Sequence, residues 1–499
     1  MGVDIAQRHR GTLGGRLSEQ HGLARVTISL DAVTSGTTVG QHLAWMLVNL
    51  LARQTEEVGT IEFDIPTGVT PIRHLSPLMP SDCADLSDCL RSGIERVNPA
   101  VLSRSDRPRT RISIRIGPGP IGNGDLALVT TAIGWAGHVG SEITGELGSS
   151  DNPIGAYLAA CLTAGEVFKF IRSSRPESTS SAQNVWLDAL TLRVSSSPPE
   201  SEGPRPAAIP PSAVIVGAGA VANGLFQVLY ALPQVTTSLI LLDHDKEGIT
   251  DSNLNRCVLF GLNQLGTLKA STAAHAFTGR SIIVQPVTAS FDDWYAFQGT
   301  PRLDLVISAV DRNRSRHAIQ DALPRLVLGA STNEMRAQVN LYDVLAGGPC
   351  LRCRNRPEAV LPDASVIEGL RHLESSERAK KAAAHGVEPA ALDTYLIDPV
   401  THCGTISGTT LQRFADVAED AEWSVGFVST LAGVLLAAEY LKRGVTEAEA
   451  MLTEMHNTFR FQFWRPERRE INRITTTPSE SGCLCQSPLF RSAMASVWS

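Results

Sequence analysis

The clearest pattern of apolar positions begins after residue 211. A near-continuous apolar run, Ala213–Val216, leads into Gly217-Ala218-Gly219 and then into an apolar-rich helical pattern, Val221–Leu232. A second apolar run, Leu239–Leu242, ends in Asp243. Short apolar runs separated by helical periodicity predict a β-α-β unit, whose natural architecture is a parallel sheet. The alternation continues with a helix near Leu268–Phe277, strands Ile282–Pro286 and Leu303–Ala309, and a helix near Ser315–Leu323. Gln338–Val344 is strand-like, and Val425–Lys442 predicts a long helix.

The first half repeats this plan in degraded form. Val26–Leu30 predicts a strand, Val39–Arg53 a helix, and Thr60–Asp64 a strand that again ends in Asp. Asp125–Thr131 is expected to mirror Asp304–Ala309, and Ile154–Ile171 to mirror Val425–Leu441. Both helices carry an early glycine and a late glutamate (Gly155, Glu166; Gly426, Glu439). The first turn, Asp31-Ala32-Val33-Thr34-Ser35-Gly36, lacks the paired glycines that let a backbone approach phosphate. Between the halves, Ser195–Pro211 holds six prolines and little that can be buried, and reads as an extended linker. Any two α/β domains look alike at this level; a duplicated fold with one dead copy is the preferred account.

Composition narrows the classes. At roughly 150 residues per domain, 499 residues make about two to four domains, each able to bury a core. With 44 Lys+Arg against 51 Asp+Glu, the net charge of -7 gives no global reason to expect nucleic acid or an anionic membrane as partner. No apolar run approaches the ~18–20 residues of a membrane span; the best, Val428–Leu441, is interrupted by Gly433 and Glu439. The stretch Met1 to Ala6 has no apolar signal region, and Ala6 takes the Ser/Thr place of a myristoylation motif. A soluble, cytoplasmic, multi-domain protein is expected. Nine cysteines in so long a chain do not make a secreted disulfide framework. Cys83, Cys89, Cys161 and Cys257 are scattered and read as plain thiols. Cys350 and Cys353 form a C-x-x-C, Cys483 and Cys485 a C-x-C, and Cys403 stands beside His402.

Gly217-x-Gly219 after a strand and before a helix allows a tight turn and aims helix N-terminal amides at an anion. Ala222 stands in the third glycine's place, and Asp243 can accept hydrogen bonds from a ribose. This much fits a nicotinamide or flavin domain as well as an ATP site. The following segments decide between them. Asp243-His244-Asp245 is followed by Ser252-Asn253-Leu254-Asn255-Arg256, by Gly266-Thr267-Leu268-Lys269, and later by Asp311 at a strand end. This order resembles the ubiquitin-activating-enzyme superfamily of the ThiF/MoeB type, over roughly Ala213 to Leu441. The pattern departs from the family in two extra residues before Asn253 and in Cys257, where Gln is usual.

The resemblance implies an α/β architecture of two Rossmann-like adenylation-type domains with a cysteine-bearing crossover. Residues 1–194 would be the inactive copy, 195–211 the linker, and 212–356 the first part of the active domain. Residues 357–410 would form the crossover, and 411–499 the remainder with a zinc-closing tail. It implies ATP and Mg2+ as cofactors, with Gly217, Gly219, Asp243 and Asp245 at the nucleotide, Asn253, Arg256 and Lys269 at its phosphates, and Asp311 at magnesium. Asn, Arg and Lys converging on phosphates suit nucleotidyl transfer, where charge develops on the α-phosphate and leaves on pyrophosphate. Arg8, Arg10 and Arg16 lie where family members supply an arginine from a facing domain, without the family's spacing. Cys350, Cys353, Cys483 and Cys485 would close a structural zinc site, against a redox pair or free thiols. Cys403 occupies the place of the thioester cysteine, against a cysteine that merely packs its loop; a thiolate there would attack an acyl adenylate. The expected partners are a ubiquitin-like protein and a ubiquitin-conjugating-type enzyme, with homodimer formation left open and neither nucleic acid nor membrane. Single-chain activating enzymes of this kind resemble those of bacterial ubiquitin-like conjugation systems in anti-phage defence. A sulfur-carrier adenylyltransferase that makes no enzyme thioester, and a nucleotide-binding scaffold without catalysis, are the alternatives.

Overall fold

The structure is a computed structural model, and it describes residues 23–80, 82–103, 110–142, 145–172, 184–333, 335–355, 363–384, 387–398, 406, 411, 414, 425–445, 452–453 and 456–499. It divides into two compact units, one of residues 1–356 with 423–499 and a smaller one of 357–422. The larger unit holds two Rossmann-like α/β halves, each built on a sheet that is parallel in its centre.

The first sheet contains β1 (Ala24–Ser29), β2 (Val58–Asp64), β3 (Thr110–Ile116), β4 (Leu126–Ile133), β5 (Ala136–Gly140), β6 (Val185–Asp188) and β7 (Arg193–Ser195). Its order is β2-β1-β3-β4-β5-β6-β7. The second contains β8 (Ala213–Val216), β9 (Thr237–Leu242), β10 (Ile282–Val287), β11 (Leu305–Ser308), β12 (Leu326–Asn333), β13 (Arg336–Tyr342), β14 (Thr458–Gln462) and β15 (Ile474–Thr475). Its order is β10-β9-β8-β11-β12-β13-β14-β15. Apart from β10, the two orders superpose strand for strand. The first four strands of each shared series are parallel, and the last three join antiparallel.

That topology corrects one correspondence. The strand beside β8 is β11, and the strand beside β1 is β3, so Leu305–Ser308 mirrors Thr110–Ile116 rather than the Asp125–Thr131 region. The latter mirrors β12 instead. A leading Asp is an exposed strand-start residue, a weaker marker than neighbour order. The helix correspondence holds: Ile154–Arg172 falls between β5 and β6, as Gly426–Lys442 falls between β13 and β14.

Helix Ile154–Arg172 also corrects the survey of apolar runs. Its 19 residues reach the length and apolarity of a membrane span. Most of it is buried within the fold, because it lies between its own sheet and the other half. Phe168 meets Phe427 at 5.4 Å between ring centroids, and Phe427 meets Phe463 at 4.9 Å. One continuous apolar core therefore runs from β1 through both central helices to β14. The proline-rich segment is tied in its middle and at its end: Glu202 accepts from the Ser150 amide at 3.2 Å, and Tyr440 donates to Pro211 O at 2.6 Å.

The smaller unit contains helices Asp363–His372, Ser375–Ala384 and Pro389–Ile397 around their own core of Val366, Leu370, Leu392, Tyr395 and Leu396. Arg378 donates to Asp393 at 2.9 Å within it. His402 and Cys403 lie outside the described residues, as do Arg8, Arg10 and Arg16.

Helix Gly426–Lys442 crosses helix Ala220–Tyr230 at a pair of facing glycines. A Cβ on Gly433 would meet Val221 O and, at 2.8 Å, the Cα of Gly224; one on Gly224 would meet Thr430 O at 2.8 Å. These are backbone contacts, which a rotamer change cannot relieve. Gly433→Val should therefore force the helices apart and cost about 1–3 kcal/mol, read as a lowered thermal unfolding midpoint. An unchanged midpoint would contradict this packing.

Candidate nucleotide site and cysteine cluster

The site is built where β8, β9 and β11 end. Gly217 follows β8 with φ +96°, and its amide donates to Leu242 O at 2.8 Å. A Cβ there would lie 2.7 Å from Ala309 O and 3.3 Å from Val310 Cγ1. Positive φ and this close approach both require glycine. Gly219 then caps helix Ala220–Tyr230 without any side-chain cap, and a Cβ there would meet nothing within 4 Å. The first-turn amides of that helix have no intrahelical acceptor and carry the positive end of its dipole. Open space over such amides is what an anion requires.

Asp243 supports the loop from below. One carboxylate oxygen accepts from the Ala218 amide at 2.7 Å, the other from the Asp245 amide at 2.9 Å. Asp245 in turn forms an ion pair with Lys269. Burial raises the Asp245 carboxyl, but the hydrogen bond and charge of Lys269 outweigh it, so the group sits below its ordinary value. The lysine reaches it because two loops are stitched together: Ile249 N donates to Thr267 O at 2.9 Å and Gly266 N to Ile249 O at 2.8 Å. Asp311 lies just past Ala309, whose amide donates to Val216 O at 2.9 Å, so the end of β11 sits against the glycine turn.

Asn253 and Arg256 share one short turn, helix Asp251–Leu254 and its end. The Asn253 side chain accepts from the Thr250 amide at 2.9 Å, and Arg256 donates to Ser252 O and to Asn255 Oδ1. Both are buried, and Asn255 Nδ2 is buried with no hydrogen-bond partner among the described residues. Asn223 was missed by sequence reasoning, although it ties the two parts together. Its Nδ2 donates to Gly219 O at 3.0 Å, and its Oδ1 accepts from the Leu259 amide at 3.2 Å. An Asn near the start of a mostly apolar helix was its only signal in the sequence.

Thus Gly217, Gly219, Asp243, Asp245, Lys269 and the Asp311 segment converge directly, while Asn253 and Arg256 join through Asn223. Among its described residues, the first half shows no counterpart. There Asp31 caps Thr34 N at 2.7 Å, and Arg115 pairs with the same carboxylate at 2.7 Å. An internal carboxylate thus fills the position that the second half leaves open.

The cysteines form a separate cluster. The Sγ atoms of Cys350, Cys353, Cys483 and Cys485 all lie within 4.8 Å of one another. Cys350 is 3.7 Å from Cys353 and 3.5 Å from Cys483; Cys353 is 3.5 Å from Cys485. A tetrahedral ion with metal–sulfur bonds of about 2.3 Å sets its sulfurs about 3.8 Å apart, so the donor set fits. The Glu480 amide donates to Cys353 Sγ at 3.3 Å.

With this geometry in place, comparison with known proteins is informative. The ThiF family matches residues 211–485, more than half of the chain. The chain belongs to the ThiF family. The match spans the glycine loop, both aspartates, Asn253, Arg256, Lys269, Asp311 and all four clustered cysteines. This ThiF-family chain is 26% identical over 385 residues to the uncharacterized protein y4jF of Sinorhizobium fredii, covering 72% of each. It is 34% identical over 146 residues to the Mus musculus adenylyltransferase and sulfurtransferase MOCS3, covering 28% of this chain and 30% of that protein. Among solved structures, E. coli MccB with ATP aligns at 14% identity and a TM-score of 0.35, over 72% of this chain and 98% of that one.

If the cysteine cluster holds an ion, the ThiF-family chain should purify with one divalent metal per chain by mass spectrometry. Cys350→Ala should lose that metal and lower the thermal midpoint, because a structural ion adds folding free energy. Full metal content in the variant would remove Cys350 from the ligand set.

Proposed function

We propose that the protein adenylates the C-terminal carboxylate of a small ubiquitin-like protein, takes the acyl group on Cys403 as a thioester, and passes it to a conjugating-type enzyme. The observation that carries the adenylation step is the convergence, at the ends of β8, β9 and β11, of an open helix N-terminus, Asp243, the Asp245–Lys269 pair and Asp311. Membership of the ThiF family supports it, as does the resemblance to a named adenylyltransferase.

In this reading a substrate carboxylate oxygen bonds to the α-phosphorus of ATP, and the bond to the β-phosphate bridge breaks. Pyrophosphate leaves with the electron pair. The amides of Gly219 to Ala222 and the charges of Arg256 and Lys269 hold the phosphates, and Asp243 and Asp245 orient the nucleoside side. Asp311 would hold magnesium, which neutralises charge on the departing phosphates. The Cys403 thiolate then attacks the acyl carbon, and AMP leaves with the electrons of the broken C–O bond. Zinc is the ion proposed for the four-thiolate cluster, since it takes tetrahedral sulfur ligands without redox chemistry. The setting proposed is a bacterial ubiquitin-like conjugation system of the anti-phage kind, in the cytoplasm.

MOCS3 combines adenylyl transfer with sulfur transfer by its name. A sulfur-carrier adenylyltransferase is therefore the second reading, and one experiment separates the two. The probe is a small protein with a Gly-ending tail encoded beside this chain, supplied with ATP and magnesium. Wild type should catalyse ATP–pyrophosphate exchange and show a thiol-reducible adduct on a non-reducing gel. Asp311→Ala should abolish exchange. Cys403→Ala should lose the adduct and keep exchange, because adenylation precedes thiol attack. Wild-type exchange in Asp311→Ala would sink the magnesium assignment; exchange without any adduct in wild type would favour the sulfur-carrier type.

A further inference from the structure

The turn bearing Asn253 and Arg256 is held from the other half of the molecule. Helix Thr38–Ala52 ends at Arg53, and Asn49 and Arg53 stand one turn apart on one face. Arg53 is 1% exposed. Its guanidinium donates to Leu254 O, to Phe260 O at 2.9 Å and to Asn49 Oδ1 at 2.8 Å. Asn49 Nδ2 donates to Val258 O at 2.9 Å. Two more contacts follow: Leu262 N donates to Arg96 O at 2.7 Å, and a Cβ on Gly261 would lie 2.7 Å from the same oxygen.

We infer that Arg53 and Asn49 of the inactive half are positioning residues for the nucleotide site, fixing the 253–260 turn through its backbone carbonyls. The inference rests on the adenylation reading for what the turn does.

A buried charge is expensive unless it is well paired. Elsewhere in the core, Arg172 and Lys442 meet Glu57 and Glu439. Among the described residues, the hydrogen-bond partners of Arg53 are neutral oxygens instead, and the Cys257 thiol is the titratable group that faces it. Burial lowers its guanidinium to about 9, a measure of how completely water is excluded. What the arginine adds is direction: a planar fork of donors holds two carbonyls, six residues apart in sequence, in one geometry. Asn255 and Arg256 lie between those two carbonyls, so a shift of the strap moves Arg256 with it. The first half has filled its own loop with Asp31 and keeps this contact to the other half.

The test uses the full chain with Arg53→Met, Arg53→Lys and Asn49→Ala. Phe168→Leu serves as a control that loosens the same core away from the turn. Three quantities are read: the thermal midpoint, hydrogen exchange of amides 253–260, and affinity for a non-hydrolysable ATP analogue with magnesium. Arg53→Met should raise exchange in that segment and weaken the analogue about tenfold or more (~1.4 kcal/mol per factor of ten), with Arg53→Lys recovering part of the loss. Phe168→Leu should lower the midpoint with little change in either other reading. If Arg53→Met fails to fold, Asn49→Ala keeps the charge, removes one bond to Val258 O, and should give the same pattern more weakly. Loss of affinity in Phe168→Leu that matches the Arg53 and Asn49 variants would reduce the clamp to general stability and overturn the inference. So would looser amides with unchanged affinity. Wild type that binds no ATP analogue would instead count against the adenylation reading. In that case a clamp that orders the turn would still appear in the exchange data, and unchanged exchange would overturn it.

Discussion

The geometry of the candidate site depends on how closely three strand ends crowd around Gly217. β8, β9 and β11 finish side by side, and the Ala309 carbonyl sits where a side chain at 217 would begin. Only a glycine at φ +96° passes through that gap. Because it does, helix Ala220–Tyr230 starts pointing its free amides away from the sheet, and Asp243 reaches the Ala218 amide from the neighbouring strand. The same crowding brings the segment leading to Asp311 against the loop. A parallel sheet places all its strand C-termini on one edge, which is why groups far apart in sequence meet there.

The two halves share one fold. Their sheets share strand order and direction, and their long helices occupy matching places. The second half leaves its helix N-terminus open. In the first, the Asp31 carboxylate caps the short helix and Arg115 pairs with it. The first half also contributes the Phe168–Phe427 contact, the core helix Ile154–Arg172, and the arginine at the end of helix Thr38–Ala52.

Much of this was legible before any coordinates. Strands β8, β9 and β11 announce themselves as short apolar runs, and buried parallel strands tolerate little else; β1 alternates apolar and polar residues instead. The motif residues are polar exceptions at strand ends, which makes them visible too. Strand β14 also alternates, with Phe459, Phe461 and, just past its end, Phe463 buried around Arg460 and Gln462, but it is short and went unread, and β15 is two residues long. The correspondence of β11 with β3 needed neighbour order, because a strand's sequence does not say which strand it lies beside. Asn223 and Arg53 were hidden for another reason. Each is a polar residue on a mostly apolar helix, and the distant backbone groups it binds lie 36 positions away for Asn223 and up to 207 for Arg53. Cysteine spacing fared better: a C-x-x-C and a C-x-C over a hundred residues apart do come within 4.8 Å.

The central claim is that one half of this chain carries a working nucleotide site and the other does not. Calorimetric titration of the purified chain tests it most directly. With ATP and magnesium the account predicts binding at a single site per chain, weakened by Asp243→Ala and untouched by Asp31→Asn, with no saturable binding of a nicotinamide dinucleotide. Tighter binding of the nicotinamide cofactor than of ATP, or ATP binding that survives Asp243→Ala at full strength, would contradict it.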